Sequence, residues 1–222
     1  MKTYFGALAA LAVVASGAPA LADTLFNSGA AIPGSGGPDL AEFNAADQFT
    51  LVKASTITGG TFDFSDSSGT LPANLTYTFY ANGGVAPHGP PGTALATGAL
   101  IIDDSFYIGD PGQTPHYKAI FTLASAFVAD AATQYFFGIH SPSFADDVSW
   151  VESNFRPAVG FYEASKFDDP SEPTHWRSED QTLAFSLTGA ALPEPASWSL
   201  MIIGFSSLGA MLRRSRRRPA TG

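Results

Sequence analysis

Apolar and polar residues alternate with a period of two along much of this chain, the spacing of a half-buried strand. In "LTYTFYA" (75–81), Leu75, Tyr77 and Phe79 fall on one face and Thr76 and Thr78 on the other. "TLAFSLTG" (182–189) repeats the arrangement with Leu183, Phe185 and Leu187. Further strands are expected at "DQFTLVK" (47–53), "TITGGTFDFSD" (56–66), "YKAIFTLAS" (117–125), "QYFFGIHS" (134–141) and "AVGFYEA" (158–164). Stretches rich in Gly, Pro, Asp and Ser, such as "PGSGGPD" and "NGGVAPHGPPG", separate them. Helical spacing never persists beyond a turn or two in this body. The pattern predicts an all-β fold, an antiparallel β-sandwich of jelly-roll-like form, over residues 23–189. No internal repeat points to a solenoid or a propeller.

Both ends of the chain depart from this pattern. The opening "MKTYFGALAALAVVASGAPALADT" has the layout of a secretory signal peptide. Lys2 supplies the basic start, Tyr4 to Val14 the short apolar stretch, and Ala20 and Ala22 the small residues of an A-x-A cleavage site. Residues 1–22 are therefore expected to be removed. At the other end, a linker over 190–195 contains Pro193-Glu194-Pro195. From Ala196 to Leu212 there follow 17 residues without a charge, and then five arginines within residues 213–218. A helix of 17 residues rises about 25 Å, the low end of what spans a hydrocarbon core about 30 Å thick. Trp198 falls at the entrance, where an indole prefers the membrane interface. Arg213, Arg214, Arg216, Arg217 and Arg218 hold the tail (213–222) on the cytoplasmic side while the signal peptide sends the body across.

These C-terminal residues resemble a PEP-CTERM sorting signal, in the variant where Trp follows Pro-Glu-Pro after two residues. The parts that carry the likeness are Pro193, Glu194, Pro195, Trp198, the apolar run with Gly204 and Gly209, and the arginine cluster, about 25 residues in all. Ser215 interrupts the cluster and Pro219 to Gly222 trail beyond it. The resemblance implies a Gram-negative host that makes extracellular polysaccharide. It also implies a partner, the membrane-embedded transpeptidase exosortase, which removes such tails and passes the protein onward in the envelope. The body more weakly resembles a domain often carried ahead of such tails, a likeness that implies no activity.

Charge sharpens the picture. Between Asp23 and Leu192 there are 19 acidic side chains against 5 basic ones, so the body repels phosphate backbones and nucleic acid is not expected as a partner. The chain has no cysteine, which excludes thiol catalysis and thiolate metal sites. Gly-x-Ser-x-Gly, His-Glu-x-x-His and phosphate-loop patterns are absent. His88, His116, His140 and His175 lack ligand spacing and read as loop or surface residues. The doublets Asp103-Asp104, Asp146-Asp147 and Asp168-Asp169 read as solvated loop charges, because adjacent strand residues point to opposite faces. "DFSDSSG" (63–69) offers Asp63, Ser65 and Asp66 as oxygen ligands for calcium, without matching the EF-hand pattern. Trp176, in a polar stretch, and Trp150 are candidates for stacking on a sugar face, against the alternative that each is packed in the core.

The expectation is an exported, non-enzymatic protein of the envelope or exopolysaccharide matrix, without cofactor or metal. It is anchored by residues 196–212 until an exosortase-like enzyme processes it. The alternative is a tethered carbohydrate-binding module.

Overall fold

The computed structural model describes residues 22–32, 34–66, 71–72, 74–84, 89–109, 115–143, 147–155, 160–165, 176–193 and 201–206. The strands, in chain order, are β1 (Asp23–Asn27), β2 (Phe43–Thr50), β3 (Ser55–Ser65), β4 (Thr76–Asn82), β5 (Pro91–Tyr107), β6 (His116–Ala129) and β7 (Gln134–His140). They continue as β8 (Ser149–Trp150), β9 (Glu152–Ser153), β10 (Tyr162–Ser165), β11 (Arg177–Ser178), β12 (Thr182–Leu183) and β13 (Phe185–Ala191). The described chain is mostly antiparallel β, as the alternation predicted.

One sheet runs in the order β1-β13-β3-β6-β5-β4-β7-β2-β10-β11, with β8 added beside β3 and β9 paired to β12 apart from it. That sheet is curled. In a flat sheet β13 and β7, five places apart, would be separated by about 24 Å at about 4.8 Å per strand. Yet the rings of Phe185 on β13 and Phe137 on β7 lie 5.6 Å apart. Phe137 also stacks on Phe121 of β6 at 5.7 Å and meets Trp150 edge-on at 6.0 Å. The two halves therefore face each other across an aromatic core that includes Phe49, Phe62, Phe79 and Leu187.

The turn between the halves is made by β5. Its first part, Pro91 to Ala99, pairs with β4; its second, from Leu100 to Tyr107, pairs with β6. Small residues permit the handover: a side chain at Gly98 would meet the Tyr77 hydroxyl at 2.8 Å. That hydroxyl instead reaches over to donate to the Ser125 carbonyl at 2.8 Å.

Where the strands form at residues other than those expected, the reasons are local. β5, at 17 residues the longest strand, was not anticipated. Its first half is mostly Ala, Gly and Thr, which bury too little surface to mark an apolar phase, and its one large apolar residue there, Leu95, is exposed. Asp103 and Asp104, read as loop charges, belong to this strand, in which the pairing shifts between Ile102 and Asp104. The shift leaves Asp103 as the extra residue of a bulge, and the Thr122 hydroxyl donates to it at 2.7 Å. β1 lies at one edge of the sheet and pairs with β13, Asp23 opposite Gly189.

Candidate functional site

Alternation turns one set of residues outward from the half built by β4, β7, β2 and β10. Ala46, Tyr80, Phe136 and Tyr162 make a second, smaller apolar cluster there, separate from the core. In the register of this face Gly138 lies between Thr78 of β4 and Ala46 of β2. A side chain at Gly138 would meet the Ala45 carbonyl at 2.9 Å and the Tyr80 ring at 3.2 Å. Its absence opens a cavity of about 300 Å³, a size at the lower end for small-ligand sites.

The cavity walls carry no fixed charge and are apolar over most of their accessible surface, with Ala45, Ile139 and Pro142 among the lining residues. Thr76, Thr78, Tyr80 and Thr97 line one side, and Asn44 and His140 come from β2 and β7. Thr78 and Thr97 share a hydrogen bond of 3.2 Å, and the Thr76 hydroxyl donates to the His140 carbonyl at 3.3 Å. Burial pushes the Tyr80 phenol up to about 12, against a hydrogen bond with Thr78, so it stays neutral. Asn44 is 3 % exposed, and neither its Nδ2 nor its Oδ1 has a hydrogen-bond partner among the described residues. Leaving a buried amide unpaired costs about 1–3 kcal/mol, and folded proteins avoid it unless something else binds there.

Trp176 lies next to this cavity without lining it. Its ring is half-buried and meets Tyr80 edge-on, with centroids 5.5 Å apart and planes at 83°. The expectation for Trp150 is corrected. It is 0 % exposed, its indole N–H donates to the Ala184 carbonyl at 3.1 Å, and Phe62, Phe137 and Phe185 surround it. An indole with no accessible face cannot stack on a sugar.

Two further polar groups are buried elsewhere. Asp47 of β2 is 0 % exposed and borders a cavity of about 200 Å³ with Phe26, Ser28 and Thr182. Its carboxylate accepts from the Leu183 N–H and from the Gln48 N–H, both at 2.7 Å. The first of these bonds ties β2 to β12 just ahead of β13. Loss of water outweighs both bonds and lifts its pKa from 3.8 to about 7. Asp63, offered by the sequence as a calcium ligand, instead lies 3.3 Å from the Lys118 ammonium. Burial raises its pKa, with Lys118 and then His116 acting in the opposite direction. The lysine takes the position that a cation would need. His116 is held below its ordinary value by burial, partly offset by Asp63.

Asp39, Glu152, Glu163, Glu179 and Asp180 border a wider groove of about 520 Å³. Among the described residues, no three His, Cys, Asp or Glu side chains stand close enough to hold a metal. His116 and His140 belong to different halves of the sheet, and His88 and His175 lie outside the described residues.

Of the sorting-signal residues, Pro193 is exposed and Gly204 belongs to a helical stretch over 201–206. There Met201, Ile202, Ile203 and Phe205 are exposed, and the Ser206 hydroxyl donates back to the Ile202 carbonyl at 2.7 Å, the usual way a serine is satisfied within an apolar helix. Among the described residues no helix is long and apolar enough to cross a membrane. Glu194, Pro195, Trp198, Gly209, the five arginines and Ala20 lie outside them, and Ala22, exposed, precedes β1. Sequence reasoning missed Asn44, Thr97 and Asp47. For Asp47 a signal existed, since it shares the inward phase of Phe49 and Leu51.

Compared with known protein families, curated proteins and solved structures, the chain matches none.

Proposed function

We propose that this is an exported, non-enzymatic protein of the cell envelope or exopolysaccharide matrix, its body a jelly-roll-like β-sandwich sorted by a PEP-CTERM tail. The observation that carries the reading is the order of parts at the C-terminus: Pro193-Glu194-Pro195, Trp198, an uncharged run, then five arginines. A marginal span with a basic stop retains the body in the inner membrane after the signal peptide is removed. The Pro-flanked segment, which joins a helix poorly, stays open to an exosortase-like transpeptidase. The acid-rich body suits a domain living among hydrated polymers. Fractionation tests this. Wild type is expected in the envelope or medium at a mass lacking the tail, and a version without residues 193–222 in a different fraction. Identical fractions and identical processing overturn the proposal.

A second reading, a tethered carbohydrate-binding module, is favoured by the half-buried Trp176 ring set against Tyr80 at the edge of a cavity without fixed charge. Binding on a glycan array that disappears with Trp176→Ala, the melting temperature unchanged, supports it. Binding that ignores the substitution removes the aromatic platform.

A further inference from the structure

We infer that the cavity over Gly138 is a binding site for one neutral sugar residue, recognised through the amide of Asn44. The inference rests on the carbohydrate-binding reading and moves its centre from the Trp176 ring to the cavity beside it.

Three observations lead to this ligand class. The first is the orphaned amide. Asn44 is 3 % exposed, and its Nδ2 and Oδ1, both buried, lack partners among the described residues, so an unpaired donor and acceptor stand side by side within the cavity wall. Vicinal hydroxyls answer both at once, because each hydroxyl donates one bond and accepts others. The second is the charge of the lining. Thr76, Thr78, Thr97, Tyr80 and Asn44 carry no ionic charge near neutral pH, and His140 is the one titratable imidazole on the walls. A carboxylated or phosphorylated ligand would enter without a fixed cation to meet it, inside a body that is itself strongly acidic. The third is size and shape. A volume of about 300 Å³ holds a single ring and little more. An apolar ligand of that size fits the space but leaves the Asn44 amide unpaired.

The geometry also assigns roles. Asn44 fixes which hydroxyls are accepted. Thr97, exposed on β5 and joined to Thr78, extends the row of hydroxyls toward solvent. Trp176, in contact with Tyr80, is placed to meet a second residue of a longer glycan outside the cavity.

The test is saturation-transfer difference NMR on the full chain in a zwitterionic, sugar-free detergent. The probes are glucose, galactose, mannose and N-acetylglucosamine, with glucuronate and galacturonate as charged counterparts. At least one neutral sugar is expected to give transfer and the uronates much less. Asn44→Ala is expected to weaken binding about tenfold or more without lowering the melting temperature, since it removes an amide that the fold leaves unpaired. Thr97→Val, nearly isosteric and at an exposed position, weakens binding by a smaller factor and guards against a folding artefact at Asn44. Neutral-sugar binding unaltered by Asn44→Ala but lost with Trp176→Ala overturns the cavity while sparing the platform. Uronates binding as well as neutral sugars overturn the ligand class. No transfer from any sugar overturns the cavity and the carbohydrate reading together, and solvent is then what Asn44 meets.

Discussion

Replacing Asp47 with Asn should change how the stability of the body depends on pH, because Asp47 is a carboxyl held without water. Its pKa stands at about 7 in the folded chain against 3.8 as the reference value. Below about pH 4 the side chain is protonated in both states and contributes no pH dependence. Between pH 4 and 7 the unfolded chain releases the proton while the folded chain keeps it, so stability falls as pH rises through this window. About three units at 1.36 kcal/mol each amount to roughly 4 kcal/mol, a large part of the 5–15 kcal/mol typical of a domain. Above pH 7 both states are ionised and the loss is complete. The carboxamide that replaces Asp47 would not titrate. It would also turn its nitrogen toward either the Leu183 or the Gln48 N–H, leaving that donor unpaired at a cost of about 1–3 kcal/mol. Asp47→Asn is therefore expected to be less stable than wild type at pH 4.5 and to gain on it steadily toward pH 8. The assay is urea unfolding at half-unit steps, followed by tryptophan fluorescence, with attention to the difference between the two curves. Asp63 and Glu163, also raised by burial, slope the same way, while His116, held down by burial, slopes oppositely. Subtraction removes these three, which both proteins share. If wild type grows more stable from pH 4.5 to 7 relative to the variant, the buried ionisation argument is wrong.

Other outcomes follow from the same packing. Phe137→Ala removes the ring that meets Phe79, Phe121, Trp150 and Phe185, and should cost about 3–5 kcal/mol in chemical denaturation. Lys118→Met strips Asp63 of its ion pair. It should raise the Asp63 pKa further, read by carboxyl carbon NMR titration, and destabilise the protein more at pH 8 than at pH 4. Trp150→Phe loses the indole bond to Ala184 and leaves a gap among buried rings. A lowered melting temperature is expected, with any glycan binding that wild type shows left intact, whereas a selective loss of such binding would return Trp150 to the surface.

Much of the fold was legible because bulky side chains announced their phase. Tyr77 and Phe79, or Phe185 and Leu187, leave no doubt about which face is inward, and their strands form close to where alternation put them. β5 was not legible, since Ala94, Ala96 and Gly98 hide their phase. With it went the element that curls the sheet, which depends on small residues that let Tyr77 lie across Gly98. The cavity escaped for a related reason. Asn44, Thr78, Thr97 and Gly138 lie far apart in sequence, and only register brings them onto one outward face. A single sequence does not encode register for residues that bury so little. Trp150 shows the converse. A polar sequence neighbourhood pointed outward, but two residues of pairing between β8 and β3 carried the ring into the core.

The pairing of Asp23 with Gly189 has a mechanical consequence. The first and last residues of the strand-built body leave from one corner, in opposite chain directions. Tension between residue 23 and residue 191 therefore peels β1 from β13 one rung at a time, and never loads the whole ladder in shear. Such a seam yields to small forces. A body tugged by both ends would open first along this edge, with the aromatic interior breached last.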